Sequence, residues 1–245
     1  MIVDLTRYLQ EVNAIVLTAE EFVAADSIAR LKRLPVDLGF GLESSAPKFK
    51  WATDRTRPIK LRPASAYDKR DGLPPPLLAT FGFEASFDKS VTSRAKRARK
   101  LARIEGVSTH IKIYRDGQNV EDDAELPVLH LHVDKKDEAQ LGPYVHIQVS
   151  EKCTERLGMR LAVPRMPFTS CLPTDCLDFA LAEFFPRDWS KAQAGAYNFN
   201  LWRDAQLARA VAMAAGVLER FEENKKRSPV SILQDFWLAE DVQRA

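Results

Sequence analysis

The spacing of apolar residues changes period twice along the chain. At the start it is helical. Leu5, Leu9, Val12 and Val16 recur at intervals of three or four and predict a short helix over 4–16. Thr18-Ala-Glu-Glu21 has the form of a capping box, and Phe22, Ile28, Leu31 and Leu34 follow at helical spacing. A second helix is therefore expected over 18–34, stopped by Pro35. Residues 35–76 are rich in proline and lack a clear period, with Phe49, Trp51 and Ile59 as candidates for a short strand. From residue 77 the period falls to two. Phe81, Phe83 and Phe87 fall nearly on one face, and strands are expected at 77–87, 109–115, 127–134 and 143–150. Between the first two, Val91, Ala95, Ala98 and Ala102 make a narrow stripe that predicts an inserted helix over 90–105, ended by Gly106.

The helical period returns in the last third. Thr174 is placed to cap a helix carrying Leu177, Ala180, Leu181 and Phe184, ending at Pro186. A long alanine-rich helix opens at Ser190 or Asn200 and closes on Lys225-Lys226-Arg227, where cations suit the negative end of the helix dipole. After Pro229, Ile232, Leu233, Phe236, Trp237 and Leu238 form a last amphipathic segment. The expected fold class is α+β, with a central antiparallel sheet of at least four strands and N-terminal and C-terminal helices packed against it. We read residues 1–245 as a single domain: helices over 1–34, the sheet over 77–150 with its inserted basic helix, and a helical part over 173–245.

Composition narrows this picture only a little. The 245 residues are 45% apolar and 29% charged, an ordinary globular balance. The net charge of +2 does not by itself call for a nucleic-acid partner. Three cysteines (Cys153, Cys171, Cys176) with no CxxC pair predict reduced thiols rather than a disulfide framework or a zinc knuckle. The first ten residues do not have the charge and apolar order of a signal peptide, and no apolar run is long enough for a membrane span. A cytoplasmic protein of prokaryotic character is expected, with no membrane partner.

The candidate chemistry is concentrated. All four histidines fall in the strand region: His110, His130, His132 and His146. Alternation places His130 and His132 on one face of their strand, and His146 on one face with Gln148. Converging imidazoles serve as general acid and base near neutral pH, so His130, His132 and His146 are the candidate catalytic residues. With Asp134 added, the same side chains form a candidate set of ligands for a divalent metal, the one cofactor the patch suggests. The opposing expectation is a solvated sheet face, with Leu129, Leu131 and Val133 turned to the core beside Val145, Ile147 and Val149. Histidine-triad hydrolases carry three alternating histidines where Leu129–Val133 supplies two. Two-histidine phosphoesterases carry His-x-Thr or His-x-Ser pairs, and both hydroxyls are missing here. Neither pattern is met.

The second concentration is of charge. Arg94, Lys96, Arg97, Arg99, Lys100 and Arg103 place six cations within ten residues, and such crowding is offset by an anionic partner. Together with Lys50 and Arg55, which lie in a basic stretch interleaved with Phe49 and Trp51, they are the candidate nucleic-acid contacts. Phe236 and Trp237 are the candidate contacts for a protein partner. No P-loop, dinucleotide-binding glycine pattern, serine elbow or metalloprotease helix is present. From sequence, the first expectation is a non-catalytic subunit of a larger assembly that touches nucleic acid through its basic helix. The alternatives are a histidine-dependent phosphoester hydrolase or metal-dependent nuclease, and a protein-binding adaptor using the C-terminal helix.

Overall fold

Asp4 starts the first helix. Its carboxylate accepts from the backbone amides of Thr6 and Arg7 at 3.1 and 3.3 Å, satisfying two donors that a helix N-terminus leaves unpaired. The helix, α1, runs Leu5–Ala19 and buries Leu5, Tyr8, Val12, Ile15 and Ala19 along one face. It therefore continues through Thr18, whose hydroxyl donates back to the Ala14 carbonyl. The expected capping box at 18–21 is not formed. Two 3₁₀ turns at Glu20–Phe22 and Ala25–Ser27 separate α1 from α2, Ile28–Glu43.

Pro35 does not stop α2, contrary to the sequence expectation. A proline inside a helix costs about 3 kcal/mol. Leu38 and Leu42 lie beyond it on the face already set by Leu31 and Leu34, and all four are buried. Two further buried leucines, at about 1.5–3 kcal/mol each, are enough to offset the break. Gly41 lets α2 approach the sheet, since a Cβ there would sit 2.2 Å from the Phe49 ring.

The computed structural model describes residues 2–64, 77–90, 100–115, 118, 127–135, 145–149, 166–167, 172–196, 198–223 and 225–226. Their strands are β1 Ile2–Asp4, β2 Lys48–Ala52, β3 Ile59–Lys60, β4 Leu77–Asp88, β5 Leu101–Arg115, β6 Leu129–Lys135, β7 Val145–Val149 and β8 Met166–Pro167. They form one sheet in the order β2-β4-β5-β6-β7-β8, with β1 also on β5 and β3 also on β4, and every pairing is antiparallel. The expected α+β class, with an antiparallel sheet and helices on it, is the one observed. The helix expected over 90–105 is corrected at its C-terminal end, because residues 101–105 are strand. Residues 91–99 lie outside the described set.

The C-terminal helices are α3 Pro173–Phe184, α4 Pro186–Gly195 and α5 Phe199–Glu223. Thr174 does not cap α3. Leu172 occupies the cap position, Pro173 opens the helix, and the Thr174 hydroxyl donates instead to Glu11 at 3.0 Å. Pro186 begins α4 rather than merely ending α3. The segment expected after Pro229 lies outside the described residues.

The helices cover one face of the sheet. Phe81, Phe83, Phe87, Val107, Ile111, Val133 and Ile147 point into the resulting core, where Trp51 packs edge-on to Tyr8 and 4.4 Å from Phe83. A polar network ties α5 to that core. Arg209 makes a two-pronged contact with Glu11 at 2.6 and 2.9 Å and also bonds Asp175. Burial raises the Asp175 carboxyl to about 6, against the pull of Arg209. Trp189 and Trp202, at 1% exposure each, are core residues. Among the described residues, no helix is long and apolar enough to cross a membrane.

Candidate functional site

One residue decides which side chains face away from the helices. Ser86 pairs with Gly106 and Phe87 with Ile104, so Glu105 is an extra residue in β5, a β-bulge. Before the bulge the core positions are Ala102 and Ile104; after it they are Val107, Thr109 and Ile111. The phase has shifted by one. Ser108, His110 and Lys112 therefore stand on the open face, where an uninterrupted strand would have turned them into the core. Lys48 holds the bulge residue with a 2.7 Å ion pair to Glu105.

Register does the rest. His110 lies opposite His132, Lys112 opposite His130, and Ser108 opposite Asp134. On the other side Gly82 lies opposite His110, so no side chain from β4 covers that imidazole. The result is a cleft of about 490 Å³ on the open face. Its floor comes from β4, β5 and β6, and its wall from Thr53, Asp54, Arg55 and Pro58.

Polar groups of the cleft form a continuous run that passes through Ser108 to His132, which does not itself line the cleft. His130 Nε2 is 3.0 Å from His110 Nδ1, and His110 Nε2 is 3.3 Å from Ser108 Oγ. Ser108 Oγ is 2.8 Å from His132 Nε2, and Asp134 Oδ2 is 3.8 Å from that same nitrogen. The His110 and His132 rings stack at 4.4 Å with 13° between their planes. Burial lowers the His110 imidazole to about 4, and the nearby charges of His132, Lys112 and Arg55 act in the same direction. His110 is therefore neutral at ordinary pH, with one N–H and one lone pair. In one proton arrangement every hydrogen of the run points toward His132. His130 donates to His110, His110 donates to Ser108, and the serine hydroxyl donates to His132. His132 is then the acceptor of the serine proton, and Asp134 stands near enough to stabilise the imidazolium that results.

Comparison with family models, with curated proteins and with solved structures gives no match.

Of the residues expected from sequence, His130, Asp134 and Arg55 line the cleft, and His132 meets it through its 2.8 Å contact with Ser108. Register sets His146 opposite Asp134 and Gln148 opposite His132, but those two side chains are outside what is described. Among the described residues, no three His, Cys, Asp or Glu side chains form a group that could hold a metal ion. His110 presents Nδ1 to His130 and Nε2 to Ser108, and His132 Nε2 meets the same serine hydroxyl. Ser108 and Lys112 are not among the site residues expected from sequence, and His110 is grouped there with the other histidines but given no role. Their signal was present, since they alternate along one strand with the spacing that groups His130 with His132.

The cations are more dispersed. Lys50 and Arg55 both bond Glu84, at 3.0 and 2.8 Å, and their contacts lower its carboxyl. Arg55 nevertheless lines the cleft. Lys100 pairs with Glu43 at 2.6 Å, and Arg103 lies opposite Ile2 and Asp88 in the sheet. Arg94, Lys96, Arg97, Arg99, Phe236 and Trp237 lie outside the described residues.

Proposed function

We propose that this protein is a histidine-dependent phosphoester hydrolase working in the open-face cleft. The observation that carries the reading is the unbroken run His130–His110–Ser108–His132, which places an acid–base relay within reach of a space large enough for a substrate. Lys112 lines the same cleft and is suited to phosphoryl oxygens. A polynucleotide is the expected source of the ester. The cation-rich stretch 94–100 belongs to the connection between β4 and β5, the two strands that supply most of the cleft floor. This reading stands ahead of a non-catalytic nucleic-acid subunit because Lys50, Arg55 and Lys100 are already engaged by Glu84 and Glu43.

The test is hydrolysis of bis(p-nitrophenyl) phosphate and p-nitrophenyl phosphate, and cleavage of labelled single-stranded RNA and DNA. Each is run with EDTA and with added zinc or manganese, for the wild type and for His132→Ala. Turnover that falls about 10²–10⁴-fold in His132→Ala supports the reading. Turnover absent from the wild type in every condition, or equal in the variant, refutes it. Turnover that requires the added metal would restore the metal-ligand role of His130, His132, Asp134 and His146.

A further inference from the structure

We propose that Ser108 is the nucleophile of this site, forming a covalent phosphoseryl intermediate. The proposal rests on the phosphoester-hydrolase reading and adds to it the group that attacks. Three observations converge on this hydroxyl. It lies between two imidazoles, at 2.8 Å from His132 Nε2 and 3.3 Å from His110 Nε2. It lines the cleft rather than the core, which follows from the bulge at Glu105. Its base is itself followed by a carboxylate, Asp134, 3.8 Å from the nitrogen that would carry the proton. A serine hydroxyl is a weak nucleophile unless a positioned base removes its proton as the bond forms, and His132 is so positioned.

The step balances without a further reagent. Ser108 Oγ bonds to phosphorus, its proton passes to His132 Nε2, and the bond from phosphorus to the leaving oxygen breaks. The leaving oxygen lies in line on the far side of phosphorus and takes its proton from solvent, while His132 keeps the serine proton. Water then enters from that far side and gives up a proton to solvent as it attacks, the P–Oγ bond breaks, and the His132 imidazolium returns its proton to Oγ, regenerating the serine as inorganic phosphate or a phosphomonoester departs. His110 is a positioning residue in this scheme. Its N–H donates to Ser108 Oγ and orients the serine hydroxyl toward His132. Lys112 faces the open side beside His110 and is placed to meet the charge that develops on the phosphoryl oxygens.

The test uses the full chain and an alkyl fluorophosphonate, which reports a nucleophilic serine whatever the natural ester is. Attack by Ser108 forms an O–P bond and expels fluoride, leaving a stable adduct located by peptide mass spectrometry. The expected result is a single adduct on Ser108 in the wild type, lost in Ser108→Ala and formed about a hundredfold more slowly in His132→Gln. Wild-type protein that remains unmodified at Ser108 overturns the proposal, and that measurement does not depend on any variant folding. Wild-type phosphodiester turnover that survives in Ser108→Ala also overturns it, while leaving the hydrolase reading intact. An adduct on Ser108 in a protein that turns over no phosphoester supports the nucleophile and refutes the hydrolase reading, so the two failures are separable.

Discussion

Titration of His110 gives a quantitative test of the cleft that needs no substrate. The imidazole falls from 6.5 to about 4 on folding, chiefly because burial disfavours its charged form. The unfolded chain therefore takes up this proton first as the pH drops. Stability from the neutral imidazole is fully present above about pH 6.5 and is lost progressively toward about pH 4. With those two values the loss at about pH 5 is roughly 2 kcal/mol for this one group. Because the cleft is partly open to water, about 1–2 kcal/mol is the expected size.

The perturbation is His110→Gln, which keeps a polar side chain but cannot titrate. Urea unfolding of both chains at about pH 7.5 and about pH 5 isolates the effect as a difference of differences. Carboxylates whose folded values are lowered, such as Glu84, Asp54 and Asp88, change with pH in the same way in both chains and cancel. The wild type should lose about 1–2 kcal/mol more than the variant between the two pH values. Equal losses would mean that His110 titrates as it does in water. The run of hydrogen bonds on which the functional reading rests would then be wrong in its central member.

Two further predictions concern the scaffold. Arg209→Ala should cost about 3–5 kcal/mol in urea unfolding, because Glu11 and Asp175 would be left buried without their cation, and adding Glu11→Gln and Asp175→Asn to the same chain should recover part of it. Thr109→Val should raise the melting temperature, by about 1 kcal/mol of stability, since the Thr109 hydroxyl is fully buried with no hydrogen-bond partner among the described residues and valine has nearly its shape; a fall of that size would show that the hydroxyl is satisfied in solution.

Much of the fold is legible in the period of the apolar residues. Phe81, Phe83 and Phe87 alternate, and so do Leu129, Leu131 and Val133, and in both cases the structure forms the strand they predict. Legibility fails where tertiary contacts overrule a local signal. Thr18-Ala-Glu-Glu21 has the residues of a helix start, yet the apolar face of α1 extends through Ala19 and absorbs Thr18. Pro35 has the residues of a stop, yet Leu38 and Leu42 bury enough surface to carry α2 past it. The stretch before Gly106 reads as helix because Ala98 and Ala102 fall four apart, and nothing local shows that Ala102 and Ile104 alternate into the core, paired with Val3 and Phe87. The bulge is the least legible feature. A reader who extends the alternation of Ala102 and Ile104 without it turns Ser108 and His110 into the core.

The histidines were visible as a group, but their chemistry was not, because it depends on which residues meet diagonally across the ladder. Ser108 pairs with Asp134 and His110 with His132, so the short Ser108–His132 contact is a diagonal one between adjacent strands. Diagonal neighbours on one sheet face lie within reach of a long side chain from one of the two strands, and an imidazole supplies that reach where serine cannot. The geometry therefore requires histidine on β6 and a small hydroxyl residue on β5, in that order. It also ties the site to the register of the whole sheet. A slip of one residue between β5 and β6 would turn the buried Val133 and the partly buried Leu131 outward and His130 and His132 into the core. The apolar alternation of β6 against the helices is thus what holds His132 within 2.8 Å of the serine. A group of imidazoles carried by a loop would have no such constraint, and the same four histidines there would imply far less.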